Sequence, residues 1–297
     1  MSLLSTPTAR PDRVFSLVSL VRALGGRVTA SDAKEWLAPA YRTAESTPPK
    51  DAERVREIFR VARDLKLLDA DQNDWVSQCE LPATRRAFAH HVHAHLCSLE
   101  SDDPDAVLLR AYAWCVAYAE ANGTSTVLSR TAKELVREIA AALGRSNEQD
   151  EDPLFNSTKW PAWKDWMVFL GLGWNDLPGT SGFLLDPCRR IEEEILALTL
   201  SNSRLDAKSF LVSIAKTLPY LDSGTMFEAA CNTGLARPPK GQLSRVLSQA
   251  IRALQDNGIL RCEMVGDARD GVTLFPDPLS STNAFSHIQQ FPGVSHV

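Results

Sequence analysis

The strongest constraint on the fold is one order of elements that closes the sequence and recurs earlier in it. Residues 253–278, ALQDNGILRCEMVGDARDGVTLFPDP, predict the end of a helix, an apolar strand, a turn bounded by glycines and a second apolar strand. A helix followed by such a hairpin is the order in which a winged-helix domain ends. The hairpin, or wing, can touch nucleic acid, touch protein or only close a small core.

Two earlier segments follow a similar order. The first predicts three helices and then a turn into a short strand, with Thr29 or Ser31 as the N-cap of its second helix. In the middle, "FLGLGW" and "GFLLDP" flank a glycine-bounded turn, much as "DNGILRC" and "GVTLFPDP" do near the end. Asp206 is the expected N-cap of a helix in the last segment. Three weak copies favour tandem units, although two copies, or an α-rich protein with a few hairpins, are alternatives.

The predicted fold class is therefore mainly α with short β-hairpins, arranged as tandem winged-helix-like units joined by linker helices. In chain order we expect a winged-helix-like domain (1–81), a linker helix (82–104), a helical, winged-helix-like middle domain (105–187), a linker helix (188–203), a C-terminal winged-helix domain (204–278) and a tail (279–297).

Composition excludes some functions. The net charge is −5, so a protein that merely coats nucleic acid is not expected, and any contact with DNA must come from a local patch. The six cysteines form no CxxC pair and are interpreted as reduced thiols. The beginning of the sequence lacks an apolar signal core, and the run WMVFLGLGW is too short to span a bilayer. A cytoplasmic location without membrane contact is expected.

One stretch of the last unit has the charge for such a patch. From Ala229 to Gln255 the sequence contains no aspartate or glutamate but four basic residues. In a helix-turn-helix module the N-terminal part of the third helix meets base edges, and its surroundings meet phosphates. The predicted nucleic-acid-binding residues, four basic for phosphates and two polar near base edges, are Arg237, Lys240, Gln242, Ser244, Arg245 and Arg252. A solubilising surface or a protein contact is the alternative.

The third helix of the first unit is more ambiguous. Its positive residues are Lys50, Arg54, Arg56, Arg60, Arg63 and Lys66. They are interleaved with acids such as Glu53, Glu57 and Asp64, several at i,i+3 or i,i+4 spacing, so much of the charge can be neutralised on the helix itself. In the middle unit Trp160, Trp163 and Trp166 share a face, which is typical of core, with a partner interface or nucleic-acid stacking as the alternatives.

No pattern predicts an active site. There is no phosphate-binding glycine loop, no nucleophile elbow and no cysteine in a recognisable catalytic signature. Four histidines lie within His90–His95, and His91 and His95 at i,i+4 could share a metal ion, but the helix's apolar stripe favours half-buried histidines. We expect no catalytic residue, no metal and no cofactor.

The segment LLSTPTARPDRVFSLVSLVRALGG, followed by winged-helix-like units, resembles DpdG proteins of bacterial anti-phage defence islands. These accompany Dpd systems linked to 7-deazaguanine modification of DNA. The resemblance implies a role beside DNA-handling helicases or nucleases, and it transfers no site residue. The layout is also similar to tandem winged-helix subunits of bacterial chromosome-organising complexes, which bind partner proteins.

The expected function is a non-enzymatic adaptor that binds double-stranded DNA and other protein subunits of the same bacterial system. A scaffold that uses the winged-helix units only to dock proteins, or a transcriptional regulator, is the alternative.

Overall fold

The structure is a computed structural model that describes residues 3–5, 9–37, 51–144, 154–175, 182–199, 204–266 and 271–290. Side chains within these ranges are described except at 51–54, 197–199 and 290. The described residues are mainly helical with small antiparallel sheets, which confirms the predicted class at that level. None of their helices is long and apolar enough to cross a membrane.

The elements are numbered along the chain. Up to residue 144 they are α1 (Pro11–Ala23), β1 (Arg27–Thr29), α2 (Ala30–Leu37), α3 (Asp51–Asp64), β2 (Leu68–Asp71), β3 (Asp74–Ser77), α4 (Arg85–Cys97), α5 (Val107–Asn122), α6 (Thr124–Ser129) and α7 (Ala132–Leu143). After it they are α8 (Trp160–Phe169), β4 (Gly173–Trp174), β5 (Leu184–Leu185), α9 (Cys188–Thr199), β6 (Arg204–Asp206), α10 (Ala207–Thr217), α11 (Thr225–Cys231), α12 (Arg245–Asp256), β7 (Leu260–Glu263), β8 (Val272–Thr273), β9 (Ala284–Phe285) and β10 (His287–Gln290).

The chain divides into two compact units. The first contains Met1–Asp105 together with Pro161–Leu170, and the second contains Ala106–Trp160 and Gly171–Val297. Most of α8 therefore belongs to the first unit, although it lies in the segment predicted as the middle domain. The predicted boundaries of three winged-helix-like domains stay a prediction.

The first unit is built on buried apolar faces at helical spacing. Val14, Leu17, Val18 and Val21 give α1 a fully buried face, and α1 packs on α2 and α3. Phe88 of α4 stacks on Phe15 and meets Phe169 of α8 edge-on, with ring centroids 5.5 and 5.4 Å apart. Trp163 and Trp166 are buried as well, so the tryptophan face belongs to the core.

The second unit is organised around α5, which is buried on nearly all sides because small and apolar side chains of its own occupy nearly every face. It packs against α6, α7, α11 and α12. The Tyr112 hydroxyl donates a hydrogen bond of 2.8 Å to the carbonyl oxygen of Leu172, next to the two-stranded sheet of β4 and β5.

The prediction that the two strands in 253–278 pair with each other as a wing hairpin is wrong. β7 does not pair with β8; it pairs antiparallel with β10, while β8 pairs with β9. β10 is the middle strand of the sheet β6-β10-β7, and it lies in the range predicted as a tail. Its sequence, HIQQ, carries a single apolar residue, Ile288, so the sequence pattern gave no strand signal although Ile288 is buried.

The two units contain the same arrangement. In the first, α1-β1-α2-α3-β2-β3 forms a sheet in the order β1-β3-β2. In the second, α9-β6-α10-α12-β7-β10 forms a sheet in the order β6-β10-β7, with α11 and the β8-β9 pair as insertions. The helix predicted as a linker, α9, thus takes the position of α1, and it packs on α10 and α12.

Local details repeat with the topology. The Thr29 hydroxyl accepts from the Asp32 amide at the start of α2, and the Asp206 carboxylate accepts from the Ser209 amide at the start of α10. These two caps confirm the sequence predictions at Thr29 and Asp206.

The strands carry a matching ion pair. Arg27 of β1 binds Asp71 of β2 at 2.9 Å, and Arg204 of β6 binds Glu263 of β7 at 3.2 Å. Because β1 and β6, and β2 and β7, occupy the same places in their sheets, these pairs are equivalent.

The third helices end in the same way. After α3 the Leu67 amide bonds to the Ala62 carbonyl, and after α12 the Ile259 amide bonds to the Leu254 carbonyl. The second residue after each helix has a left-handed backbone conformation, with φ of 59° at Lys66 and 69° at Gly258. Positions on α3 and α12 can therefore be matched by counting back from Asp64 and Asp256.

Candidate nucleic-acid interface

Two of the six predicted DNA-contacting residues are buried. Ser244 caps α12: its hydroxyl accepts from the Leu247 amide and donates to Asp222, and its own amide donates to Asp222 at 2.6 Å. Arg252 is 7% exposed and donates to the carbonyl oxygens of Phe275 and Thr282 at 2.8 and 3.1 Å. Neither side chain faces solvent, so both stabilise the fold in this conformation.

The Asp222 carboxylate behind this cap is itself buried. Burial raises its pKa to about 6, against the opposing effect of the hydrogen bonds from Ser244. A carboxylate from α5 meets the same helix start, where Glu120 accepts from the Arg245 amide at 2.8 Å. Acids distant in sequence therefore surround the start of the helix.

The remaining four residues differ in exposure. The guanidinium of Arg245 lies 3.9 Å from the centroid of the Phe275 ring, and its Nε donates to the Glu120 carbonyl oxygen. Arg237 forms an ion pair with Glu228 on α11. Lys240 is exposed and Gln242 half-buried, both on the turn that leads into α12.

The six residues therefore do not share one exposed surface. The stretch from Ala229 to Gln255 is free of acids in sequence but not in space, because Glu120, Asp222 and Glu228 are brought to it by folding.

One stripe of α12 is covered by the chain itself. We call residues 274–283, between β8 and β9, the strap. The Phe275 amide donates to the Ser248 hydroxyl at 2.8 Å, Arg252 donates to the strap carbonyls, and the Gln255 side chain donates to the Thr282 hydroxyl at 2.8 Å. Ser248, Arg252 and Gln255 thus form a stripe that faces the strap.

The equivalent stripe of α3 is basic. Counting back from the helix ends matches Ser248, Arg252 and Gln255 with Arg56, Arg60 and Arg63, in that order. Arg56 and Arg63 are exposed and Arg60 is half-buried. The nearest described acid to Arg63 is Asp64, whose carboxylate lies 3.9 Å from its Nε.

The sequence signal for this stripe was present but outweighed by its acidic neighbours. Arg56, Arg60 and Arg63 recur at spacings of four and three, which places them on one helix face. Lys50 lies outside the described residues, and the side chain of Arg54 is not described.

The hairpin beside α3 is acidic. Arg27 reaches both Asp71 and Asp74 at 2.9 Å, and these hydrogen bonds and charges raise its pKa. Asp69 adds a further exposed carboxylate. The β2-β3 hairpin therefore carries acidic side chains next to the basic stripe of α3.

Two histidines of α4 make polar contacts within the first unit. His91 Nε2 donates to the Leu65 carbonyl oxygen at 2.9 Å, and His93 Nε2 lies 3.5 Å from Cys97 Sγ. Burial, followed by the charges of His91 and Lys66, lowers the pKa of His95, which lines a small pocket with Asp64 and Asp103. Across the described ranges, no three histidines, cysteines or carboxylates are grouped so as to hold a metal ion.

The described thiols with shifted pKa values are poor nucleophiles. Burial raises the pKa of Cys231 to about 11 and that of Cys262 to about 12, and it raises the pKa of Cys79, Cys115 and Cys188 too. Each is held as the neutral thiol near neutral pH.

A comparison with protein-family models gives one decisive result. The model described as DpdG-like matches residues 1–268. The chain belongs to the DpdG-like family. In this DpdG-like chain the match includes the α3 stripe and the whole of α12, and it ends before the strap. Searches of curated proteins and of solved structures gave no match.

Proposed function

We propose that this DpdG-like protein is a non-enzymatic adaptor of a bacterial anti-phage defence (Dpd) system, built of winged-helix units, that contacts duplex DNA. The family supports the setting. The arrangement of three helices and three strands, found once in each unit with the same sheet order, supports the winged-helix assignment. In such modules the third helix is the one that approaches DNA.

The proposal of a DNA contact rests on a comparison of hydrogen-bonding groups between the α3 stripe and the equivalent stripe of α12. The α12 stripe contains an acceptor, the Ser248 hydroxyl, and it holds a peptide segment that offers both an amide and carbonyls. The α3 stripe has a guanidinium at each position, and guanidinium groups only donate. A stripe of cationic donors suits a polyanion, and phosphate is the ligand that arginine binds bidentately.

The test is a charge-reversal variant, R56E/R63E, assayed for duplex DNA binding by gel shift at low salt. We expect wild type to bind and the variant to bind at least about tenfold more weakly, because ionic hydrogen bonds to phosphate are lost. The slope of log affinity against log salt should fall by about two, one for each lost phosphate contact.

The matched control is R204E/R261E, which makes the same charge change on exposed arginines of the β6-β10-β7 sheet. It should bind DNA within about twofold of wild type. Equal losses in both variants would indicate a non-specific charge effect, and the absence of wild-type binding would exclude the DNA-contact proposal.

A protein-interaction scaffold is the second candidate. It is favoured by α12, whose equivalent stripe is covered and whose basic neighbours Arg237 and Arg245 already have partners. Of the sequence-predicted set, Lys240 remains the residue best placed for phosphate, at the exposed turn before α12. Co-purification of a stable partner by a chain with no salt-sensitive DNA affinity would select the scaffold.

A further inference from the structure

The strap is bound to α12 through polar atoms. Its contacts with the stripe are the Phe275 amide to Ser248, the Phe275 and Thr282 carbonyls to Arg252, and the Thr282 hydroxyl to Gln255. Two backbone carbonyls therefore occupy donors of Arg252 that could otherwise bind phosphate oxygens.

Little apolar surface fixes the strap in place. Leu274 is buried, but Pro276 and Pro278 are exposed and Leu279 is 96% exposed. The Phe275 ring is half-buried beneath the Arg245 guanidinium. Segments with few buried apolar contacts open at lower free energy than the core does.

The strap covers a surface with a known equivalent. On α3 the same three positions carry arginines, of which Arg56 and Arg63 are exposed, whereas on α12 they include Arg252 and lie under the strap. Lifting the strap would free the Arg252 guanidinium and the Gln255 amide nitrogen, and it would release Arg245 from the Phe275 ring. Gln255 Oε1 would still accept from the Cys262 amide, and Arg245 Nε would still donate to the Glu120 carbonyl oxygen. The exposed group would be two guanidiniums and an amide on one helix.

We propose that the strap is a displaceable cover over a second polyanion-binding face on α12, formed by Arg245, Arg252 and Gln255. Duplex DNA is the ligand, and this inference rests on the proposed function for its ligand class but not for its site. The closed strap explains why Arg252 of α12, a helix in the same structural position as α3, is buried and adds no positive charge to the surface.

The experiment loosens the strap in a chain whose α3 stripe is disabled. F275A/T282V removes the ring beneath Arg245 and the hydroxyl that Gln255 binds, and it leaves every basic residue in place. In the R56E/R63E background we expect this change to raise duplex DNA affinity at least about tenfold over the R56E/R63E parent in low-salt gel shifts. Adding R245E should remove the gain.

A second variant guards against a folding defect. P276G/P278G increases the freedom of the strap backbone without altering the atoms through which the strap hydrogen-bonds to Ser248, Arg252 and Gln255. Amide hydrogen exchange should rise at Phe275, whose amide bonds to Ser248, and stay slow in α12. A smaller gain in DNA affinity in the same background is expected.

The outcomes are separable. Faster amide exchange in the strap with no gain in DNA affinity in either variant would overturn the proposal that the strap covers a binding face. A gain that R245E does not remove would also overturn it, because the new binding would lie elsewhere. If wild type and R56E/R63E bind equally weakly but the loosened variants bind well, the α3 proposal fails while the α12 face stands.

Discussion

At the scale of single residues, the buried carboxylate of Asp222 at the start of α12 makes the free energy of unfolding depend on pH. Its carboxylate accepts from the amide and the hydroxyl of Ser244 inside the protein. Burial raises its pKa to about 6 from an ordinary value of 3.8. The folded state therefore binds more protons than the unfolded state between about pH 4 and 6, and the free energy of unfolding falls as pH rises through that window.

A D222N variant tests this effect. A shift of about two pKa units corresponds to about 3 kcal/mol between the ends of the window. We expect the free energy of unfolding of wild type, measured with urea at pH 4 and pH 7, to change by that amount relative to D222N. The exposed substitution D256N should leave the wild-type difference unchanged, and equal pH differences in wild type and D222N would contradict the assignment.

The surroundings of Asp222 show why the sequence did not predict the charge around the start of α12. A run without acids predicts a basic surface only if no acid arrives from elsewhere, and Glu120 and Asp222 do arrive from α5 and from the segment before α11. The burial of Arg252 depends on the strap, which follows it by more than twenty residues. The basic stripe of α3 can be predicted from spacing alone, but the acidic residues beside it led to the opposite weighting.

At the scale of elements, the two units differ at an equivalent left-handed residue. Gly258 adopts φ of 69° after α12, where glycine carries no steric penalty. Lys66 adopts φ of 59° after α3, and a side chain with a Cβ in this conformation costs on the order of 1 kcal/mol. The first unit therefore stores a small strain that the second avoids.

Exchanging the residue types should move stability in opposite directions. K66G is expected to be neutral or to raise the free energy of unfolding by up to about 1 kcal/mol, and G258A to lower it by about 1 kcal/mol. No described atom lies within 4 Å of a Cβ built at Gly258, so the loss in G258A reports backbone strain. Thermal unfolding of both variants beside K66A provides the comparison, and a K66G less stable than K66A would contradict the strain.

Elements with a strong local signal were predicted from sequence. The apolar spacing of α1 and α12 and the caps at Thr29 and Asp206 lie within a few residues of one another, so the sequence contains the whole cause. β10 was missed because a central strand with one apolar residue is stabilised by its two neighbours. Such pairing depends on tertiary contacts that no window of the sequence contains.

At the scale of the whole molecule, chain order and compact units do not coincide. Residues 161–170 belong with the first 105, and Phe169 lies against Phe88 and beneath the guanidinium of Arg85. The core of the first unit is thus completed by a helix from well beyond it in sequence.

F169A should therefore weaken the first unit selectively. Removing a buried phenylalanine leaves a cavity and costs about 3 kcal/mol or more. Hydrogen exchange followed by mass spectrometry should show faster exchange in α1 and α4 while α10 and α12 keep their rates. Equal acceleration in both sets of helices would mean that the two units do not open separately.

Because β10 is the last of its three strands in the sequence, the second sheet can be completed only late in synthesis. Both outer strands, β6 and β7, are synthesised before residues 287–290, so the edge of each that pairs with β10 exists before its partner does. Unpaired edges invite pairing with other nascent chains. The β1-β3-β2 sheet has all its strands once Ser77 has been added. A released chain truncated after Ser286 would leave the second sheet as two outer strands without their central partner, and such a chain would be a substrate for chaperones or proteases.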